Sequence, residues 1–93
     1  MKADTLTDQQ VMAQLGTGQP HTLALLVERH QKKALCIAQR MLGHRDMAED
    51  AVQDAFVRVY RGARTYQPKC AFSTWFYRIL VNLCIDRMRR QKK

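Results

Sequence analysis

Leu23, Leu26, Val27, His30, Ala34, Ile37, Ala38 and Met41 fall at offsets 0, 3, 4, 7, 11, 14, 15 and 18, along one side of a helix about five turns long. A stripe that long commits the middle of the chain to a helix with one buried face, and such a face must be covered by other elements. The remaining segments offer only more helices, since no stretch alternates with a period of two between hairpin turns. With 93 residues the chain buries roughly 60 to 70% of its unfolded surface, enough for one core and one domain. The expected fold is therefore all-α: a compact bundle of three main helices plus a short N-terminal one.

The ends of these helices are marked locally. Thr7-Asp8-Gln9-Gln10 has the form of a capping box, followed by Val11, Met12 and Leu15 on one face and by Gly16 and Gly18 as a stop. The long second helix begins near Pro20, a favourable first-turn residue, and ends at Gly43. A third starts with Asp46 as its cap and Glu49 three residues on, buries Ala48, Val52, Ala55, Phe56 and Val59, and stops at Gly62. Its other face carries Asp46, Asp50, Gln53, Asp54, Val57 and Arg61. After a connection over 62–71, long for a bundle, the fourth helix runs from about Phe72 to Arg90. Phe72, Trp75, Phe76, Ile79, Leu80 and Leu83 form its core stripe, with Tyr77, Arg78, Val81, Asn82, Ile85 and Arg89 turned elsewhere.

Several kinds of function find no support in these residues. The chain has no Gly-rich phosphate loop, HExxH or GxSxG, and His21, His30 and His44 lie on different segments without ligand or triad spacing. No enzyme, cofactor or metal site is expected. His30 lies on the core stripe and reads as a hydrogen-bonded structural histidine. Cys36, Cys70 and Cys84 are an odd, widely spaced set, which suggests neither disulfides nor a CxxC site; Cys36 and Cys84 read as small apolar helix residues and Cys70 as a loop cysteine. No run approaches the ~18 apolar residues of a membrane span, so no membrane insertion is expected and the location reads as cytoplasmic.

Charge divides the chain more sharply than its total of +8 suggests. Residues 1–54 hold six Lys/Arg and seven Asp/Glu, whereas residues 55–93 hold ten Lys/Arg and only Asp86. That asymmetry presents a polyanion with one end of the molecule. All seven aromatic residues fall between Phe56 and Tyr77, interleaved with cations. Phe56, Phe72, Trp75 and Phe76 suit the core; Tyr66 and Tyr77, beside Arg64, Lys69, Arg78 and Asn82, have the chemistry of a single-strand reader. Rings stack on bases, cations hold phosphates and an amide reads a base edge. The basic run Arg87 to Lys93 adds salt-sensitive phosphate affinity. On the third helix, carboxylates in a first turn favour the helix dipole, which explains Asp46, Glu49 and Asp50. Asp54, Gln53 and Val57 lie beyond that turn, and the mixed strip fits a docking surface as well as a solvated face. From the residues alone a nonspecific basic nucleic-acid-binding module and a helical adaptor both remain open.

The segment Ala48-Glu49-Asp50-Ala51-Val52-Gln53-Asp54-Ala55-Phe56-Val57-Arg58-Val59-Tyr60-Arg61 and, about ten residues later, Phe72-Ser73-Thr74-Trp75-Phe76-Tyr77-Arg78-Ile79-Leu80-Val81-Asn82-Leu83-Cys84-Ile85-Asp86-Arg87-Met88-Arg89-Arg90 closely resemble region 2 of bacterial sigma factors, nearest to the extracytoplasmic-function group. The opening through Leu25-Leu26-Val27-Glu28-Arg29-His30 is similar to that group's first two helices. The likeness thus covers nearly the whole chain, 1–93, as sigma domain 2, regions 1.2 to 2.4.

The resemblance implies that the third helix docks on the clamp coiled coil of RNA polymerase's largest subunit through Asp50, Gln53, Asp54, Val57, Arg58 and Arg61. It further implies that the connection and the fourth helix recognise and melt the minus-ten promoter element, capturing a flipped base of the single-stranded non-template strand. The matching positions are Gly62, Arg64, Tyr66, Lys69, Trp75, Tyr77, Arg78 and Asn82, with Arg89 and Arg90 on phosphates. An anti-sigma factor is the implied regulatory partner. Family members carry a further helical domain, region 4, that has no counterpart after Lys93, so an excised domain of a longer protein is expected. The loop Gln67-Pro68-Lys69-Cys70-Ala71 lacks the small acidic residue often found there, leaving the preferred base open.

Overall fold

The computed structural model describes residues 5–67 and 69–91. Four α-helices follow in order: α1 (Asp8–Gly16), α2 (Leu23–Leu42), α3 (Arg45–Gly62) and α4 (Phe72–Gln91), with one turn of 3₁₀ helix at Pro20–Thr22 before α2. No strand occurs among the described residues. The all-α bundle expected from the stripes is the fold observed.

The capping box forms as its spacing predicts. Thr7 Oγ1 accepts from the Gln10 amide at 3.1 Å while Gln10 Oε1 accepts from the Thr7 amide at 2.8 Å, so two otherwise orphaned N–H groups are paired. At the far end of α2, Gly43 takes φ 76° and donates to the Gln39 carbonyl at 2.8 Å. A side chain there would crowd its own backbone, and the glycine lets the chain reverse into α3 within two residues. The cap of α3 is His44, in extended backbone, rather than the expected Asp46. Asp46 instead stands in the first turn, where its charge still favours the dipole. Glu49 pairs with Arg45 at 3.3 Å rather than reaching back to a cap.

The core is the convergence of the predicted stripes. Val11, Met12 and Leu15 of α1, Leu26, Ala34 and Ala38 of α2, Ala48, Ala51, Val52, Ala55, Phe56 and Val59 of α3, and Phe72, Phe76, Leu80, Leu83 and Cys84 of α4 are all buried. The alanines let α2 and α3 approach closely, and Phe56 stacks on Phe76 with ring centroids 4.8 Å apart. Cys84 is buried as expected, while Cys36 is exposed because it falls outside the α2 stripe. The carboxyl end of α1 lies against the backbone that follows α3: a Cβ on Gly16 would stand 2.8 Å from the Ala63 carbonyl oxygen.

One polar network ties α1, α2 and α4 together. Asp8 Oδ1 accepts from Arg29 Nη1 at 3.1 Å and Oδ2 lies 2.9 Å from His30 Nε2, whose Nδ1 lies 3.1 Å from the Tyr77 hydroxyl. A carboxylate only accepts, so Nε2 carries a proton, while Nδ1 and the Tyr77 hydroxyl close the second hydrogen bond of the ring. His30 is thus the structural histidine expected. Among the described residues no cluster could hold a metal ion and no helix is long and apolar enough to cross a membrane.

Candidate nucleic-acid interface

α3 and α4 run antiparallel, which puts the start of α4 and the 63–71 connection at the end of the bundle where α1 also terminates. Phe72 and Phe76 anchor this end in the core, stacked at 5.7 Å, and His30 sits 5.2 Å from Phe72. Over that floor lies half-buried Trp75, 6.0 Å from Phe72 and 4.8 Å from the Tyr66 ring. Gly62 is beneath the indole, where a Cβ would meet Trp75 Cζ2 at an ordinary 3.5 Å.

Trp75, Arg78, Asn82 and Arg89 recur at helical spacing on the outer face of α4, and Arg78, Asn82 and Arg89 are exposed. Arg64 and Lys69 are exposed on the connection that feeds this face. Arg78, Asn82 and Arg89 thus share one exposed face of α4 beside half-buried Trp75, while Arg64 stands with Tyr60 and Arg61 near the end of α1. Pro68, Lys92 and Lys93 lie outside the described residues.

The two tyrosines selected from the sequence depart from the free rings expected of them. Tyr77 is half-buried, held by His30 at its hydroxyl and covered by the Lys33 ammonium 5.0 Å from the ring centroid. Tyr66 packs its ring on Trp75, and its hydroxyl is buried without a hydrogen-bond partner. Burial pushes both phenols above their ordinary value. For Tyr66 the nearby Cys70 and Asp8 act in the same direction, with the Gln9 side chain opposing them; for Tyr77 Asp8 adds to the rise. The exposed ring is that of Tyr60, 49% accessible, which stands with Arg61 and Arg64 against Leu15, Gly18 and Pro20. Helical spacing from Val57 carries the signal for it, through Tyr60 and Arg61 to Arg64 at offsets 3, 4 and 7.

The acidic strip lies on the side of α3. Asp50 and Gln53 are exposed, Val57 is 42% accessible, and Gln53 and Val57 border an apolar groove against Leu23, Val27 and Leu35 of α2. Arg58 reaches Asp54 at 3.9 Å and Arg61 is exposed a turn further on. The linear reading missed the ion pairs that join α4 to this strip. Arg87, expected in a free basic tail, donates to Asp50 Oδ2 at 3.0 Å and to Asp54 Oδ2 at 3.3 Å, and only 18% of its side chain is accessible. Arg90 lines the adjoining groove with Asp46 and Met47, away from the Arg78 and Asn82 face.

A helical binding module with two chemically distinct faces, one mixed acidic and apolar, the other basic and aromatic, is what this fold defines. The chain belongs to the Sigma-70 region 2 family, whose model matches residues 26–93, and is of the ECF sigma factor type. It is similar to the ECF RNA polymerase sigma factor SigW of Bacillus subtilis (39% identical over 79 residues, 85% of this chain and 42% of that protein). It is likewise similar to the ECF RNA polymerase sigma-E factor of Escherichia coli K12 (36% identical over 80 residues, 86% and 41%). The chain thus spans about two fifths of the length of these relatives. Among solved structures, an engineered region 2 of sigmaE, determined by NMR in complex with GTAAAA, superposes with a TM-score of 0.85 at 34% identity, covering 99% of this chain and 95% of that one.

Proposed function

We propose that this domain binds core RNA polymerase through the α3 strip and recognises and melts the minus-ten promoter element through the α4 face, directing transcription initiation without catalysis of its own. Asp50, Gln53, Asp54, Val57, Arg58 and Arg61 meet the clamp coiled coil of the largest subunit. Arg64, Lys69, Arg78 and Arg89 hold phosphates of the non-template strand, with Arg90 adding charge from the neighbouring groove. Trp75 supports the melted junction and Asn82 offers its amide to a base. Tyr77 acts from beneath, fixing α4 on α2. Gly62 and Tyr66 belong to the pocket for a flipped base, whose extraction costs a few kcal/mol that pocket contacts must offset. The working location is the cytoplasm, and an anti-sigma factor masks the polymerase-binding face.

The observation that carries this reading is the exposed Arg78, Asn82 and Arg89 face on a fold that matches a GTAAAA-bound sigmaE region 2 over nearly its whole length. Fluorescence anisotropy with matched single-stranded and duplex minus-ten oligonucleotides tests the DNA half: single-strand preference supports it, and equal or stronger duplex binding indicates a nonspecific basic module. Co-purification with core polymerase tests the other half. Binding undiminished by Asp50→Lys with Asp54→Lys would remove the α3 assignment.

A further inference from the structure

α2 carries Arg29, Lys32, Lys33 and Arg40 against Glu28 alone, so its surface is cationic although the first 54 residues taken together are not. Arg29 is spent inside the bundle, on Asp8. Lys33 and Arg40 are exposed, and among the described residues no carboxylate lies within ion-pair distance of either. Lys33 Nζ stands 5.0 Å from the centroid of the Tyr77 ring. The ring face holds the ammonium at the seam between α2 and α4 without neutralising its charge. Arg40 follows at offset 7, two turns on, so it shares that edge of α2 and lies ~10 Å further along it.

Both α2 and α4 run opposite to α3 and pack on each other, so they lie side by side in the same direction. The edge with Lys33 and Arg40 therefore follows the row Arg78, Asn82 and Arg89, with half-buried Tyr77, Val81 and Ile85 between the two. Nearby carboxylates are engaged elsewhere: Asp8 faces Arg29 and His30, while Asp50 and Asp54 hold Arg87 on the α3 side of α4. The two rows differ in chemistry. The α4 row has an amide beside an indole, whereas the α2 edge offers charge alone, its one ring already covered by Lys33. Charge without a stacking ring or a reading amide suits backbone phosphates, and a row fixed along one helix suits a stiff duplex better than a pliable single strand. Resting on the proposed reading of the α4 face, we propose that Lys33 and Arg40 form a second DNA contact, which holds phosphates of the double-stranded segment adjoining the melted strand while α4 takes the single strand.

The test uses the 93-residue chain with the single-stranded hexamer GTAAAA, and with the same hexamer joined to one turn of duplex, about ten base pairs, on its 5′ or its 3′ side. One of the two forks is expected to bind more tightly than the hexamer. Lys33→Gln and Arg40→Gln should each flatten the salt slope of that fork by roughly 0.9, the value for one duplex phosphate, and together should remove most of its advantage. Hexamer affinity and slope should stay at the parent's values in both. Lys33→Arg, which keeps the charge over the ring, should bind as the parent does. Arg45→Gln removes the same charge from the start of α3, where it pairs with Glu49, and should leave the fork slope unchanged. Forks no tighter than the hexamer, forks unaffected by Lys33→Gln and Arg40→Gln, or an equal loss in Arg45→Gln would each overturn the α2 contact. A hexamer weakened as much as the fork would give Lys33 and Arg40 to the single strand and overturn the duplex assignment. Intact DNA binding with weakened polymerase binding in the two variants would overturn it in favour of a protein partner. A parent that binds continuous duplex better than either fork overturns the proposed function as well.

Discussion

Gly16 and Gly62 are the last residues of α1 and α3, yet their surroundings give opposite expectations for alanine. At Gly16 a Cβ would stand 2.8 Å from the Ala63 carbonyl oxygen, which is backbone and has no rotamer to move. Gly16→Ala should therefore lower stability by about 1 to 3 kcal/mol, the usual range for overpacking. At Gly62 the new methyl meets Trp75 at ordinary contact distance and the backbone is already right-handed, so Gly62→Ala should stabilise by roughly 0.5 to 1 kcal/mol. Urea unfolding of both variants checks the pair, and the same sign for both would disprove the packing account. The phenols give a second expectation at this scale. A folded-state pKa raised above the ordinary 10.0 means that Tyr66 and Tyr77 hold their protons longer folded than unfolded. Their contribution to stability is complete below pH 10 and is lost as pH rises through the raised values. Cys84, raised by burial from 9.0 and opposed only by Arg87, begins the loss earlier. The fall in melting temperature between about pH 8 and about pH 10.5 should thus be smaller in Tyr77→Phe and in Cys84→Ala than in the parent. Individual side chains were the least legible part of the sequence. Tyr66, Tyr77 and Tyr60 were separated only by the helices that pass beside them, and periodicity within one helix carries no information about a neighbour's approach.

Whole elements were far more readable, because each helix carries its own account of what it buries. The α3 stripe, the Thr7 box and the Gly43 stop are local patterns present in the fold as read; the α2 stripe is fully buried at Leu26, Ala34 and Ala38 and half-buried at Leu23, Val27, His30, Ile37 and Met41, with Leu42 buried beside it. The Asp46 cap failed for an equally local reason: His44, extended after the left-handed Gly43, begins the helix two residues sooner. What the linear pattern lacked was the bond between elements. Arg87 crosses from α4 to Asp50 and Asp54, so the strip assigned to polymerase is already partly neutralised from within the domain. A basic group of the partner approaching that strip must share the carboxylates with Arg87 or displace it. Arg87→Ala should cost the free domain ~1 kcal/mol or less, the scale of a partly exposed pair. Polymerase affinity should rise or hold, because two unpaired carboxylates become available to the partner. Parallel thermal melts and polymerase titrations check this; a loss of polymerase affinity larger than the stability loss would mean that Arg87 itself meets the partner. The capping box offers a companion expectation, since Thr7→Ala should cost about 1 kcal/mol through α1.

Across the whole molecule, the division of charge along the sequence becomes a division of surfaces, although Arg87 and Arg90 shift to the acidic side and leave Arg64, Lys69, Arg78 and Arg89, among the described residues of the second half, as the cations proposed to meet nucleic acid. That makes the count of phosphate contacts smaller than the excess of positive charge in the second half implies. Single-strand affinity falls with salt in proportion to the phosphates neutralised, with a slope of about −0.7 for each. Removing one of these four by mutation to alanine should therefore flatten the slope by roughly 0.7, whereas Arg87→Ala, tied to Asp50 and Asp54, should leave it within error of the parent. Charge reversal at Asp50 and Asp54 separates local from global electrostatics. If only contacts count, the reversal leaves both the affinity and the slope unchanged; if the whole +8 molecule acts as one cation, affinity at low salt rises and the slope steepens with every added charge. Anisotropy titrations over a series of salt concentrations distinguish the two. An Arg87→Ala slope that flattens as much as the Arg78→Ala slope would refute the assignment of Arg87 to the acidic strip.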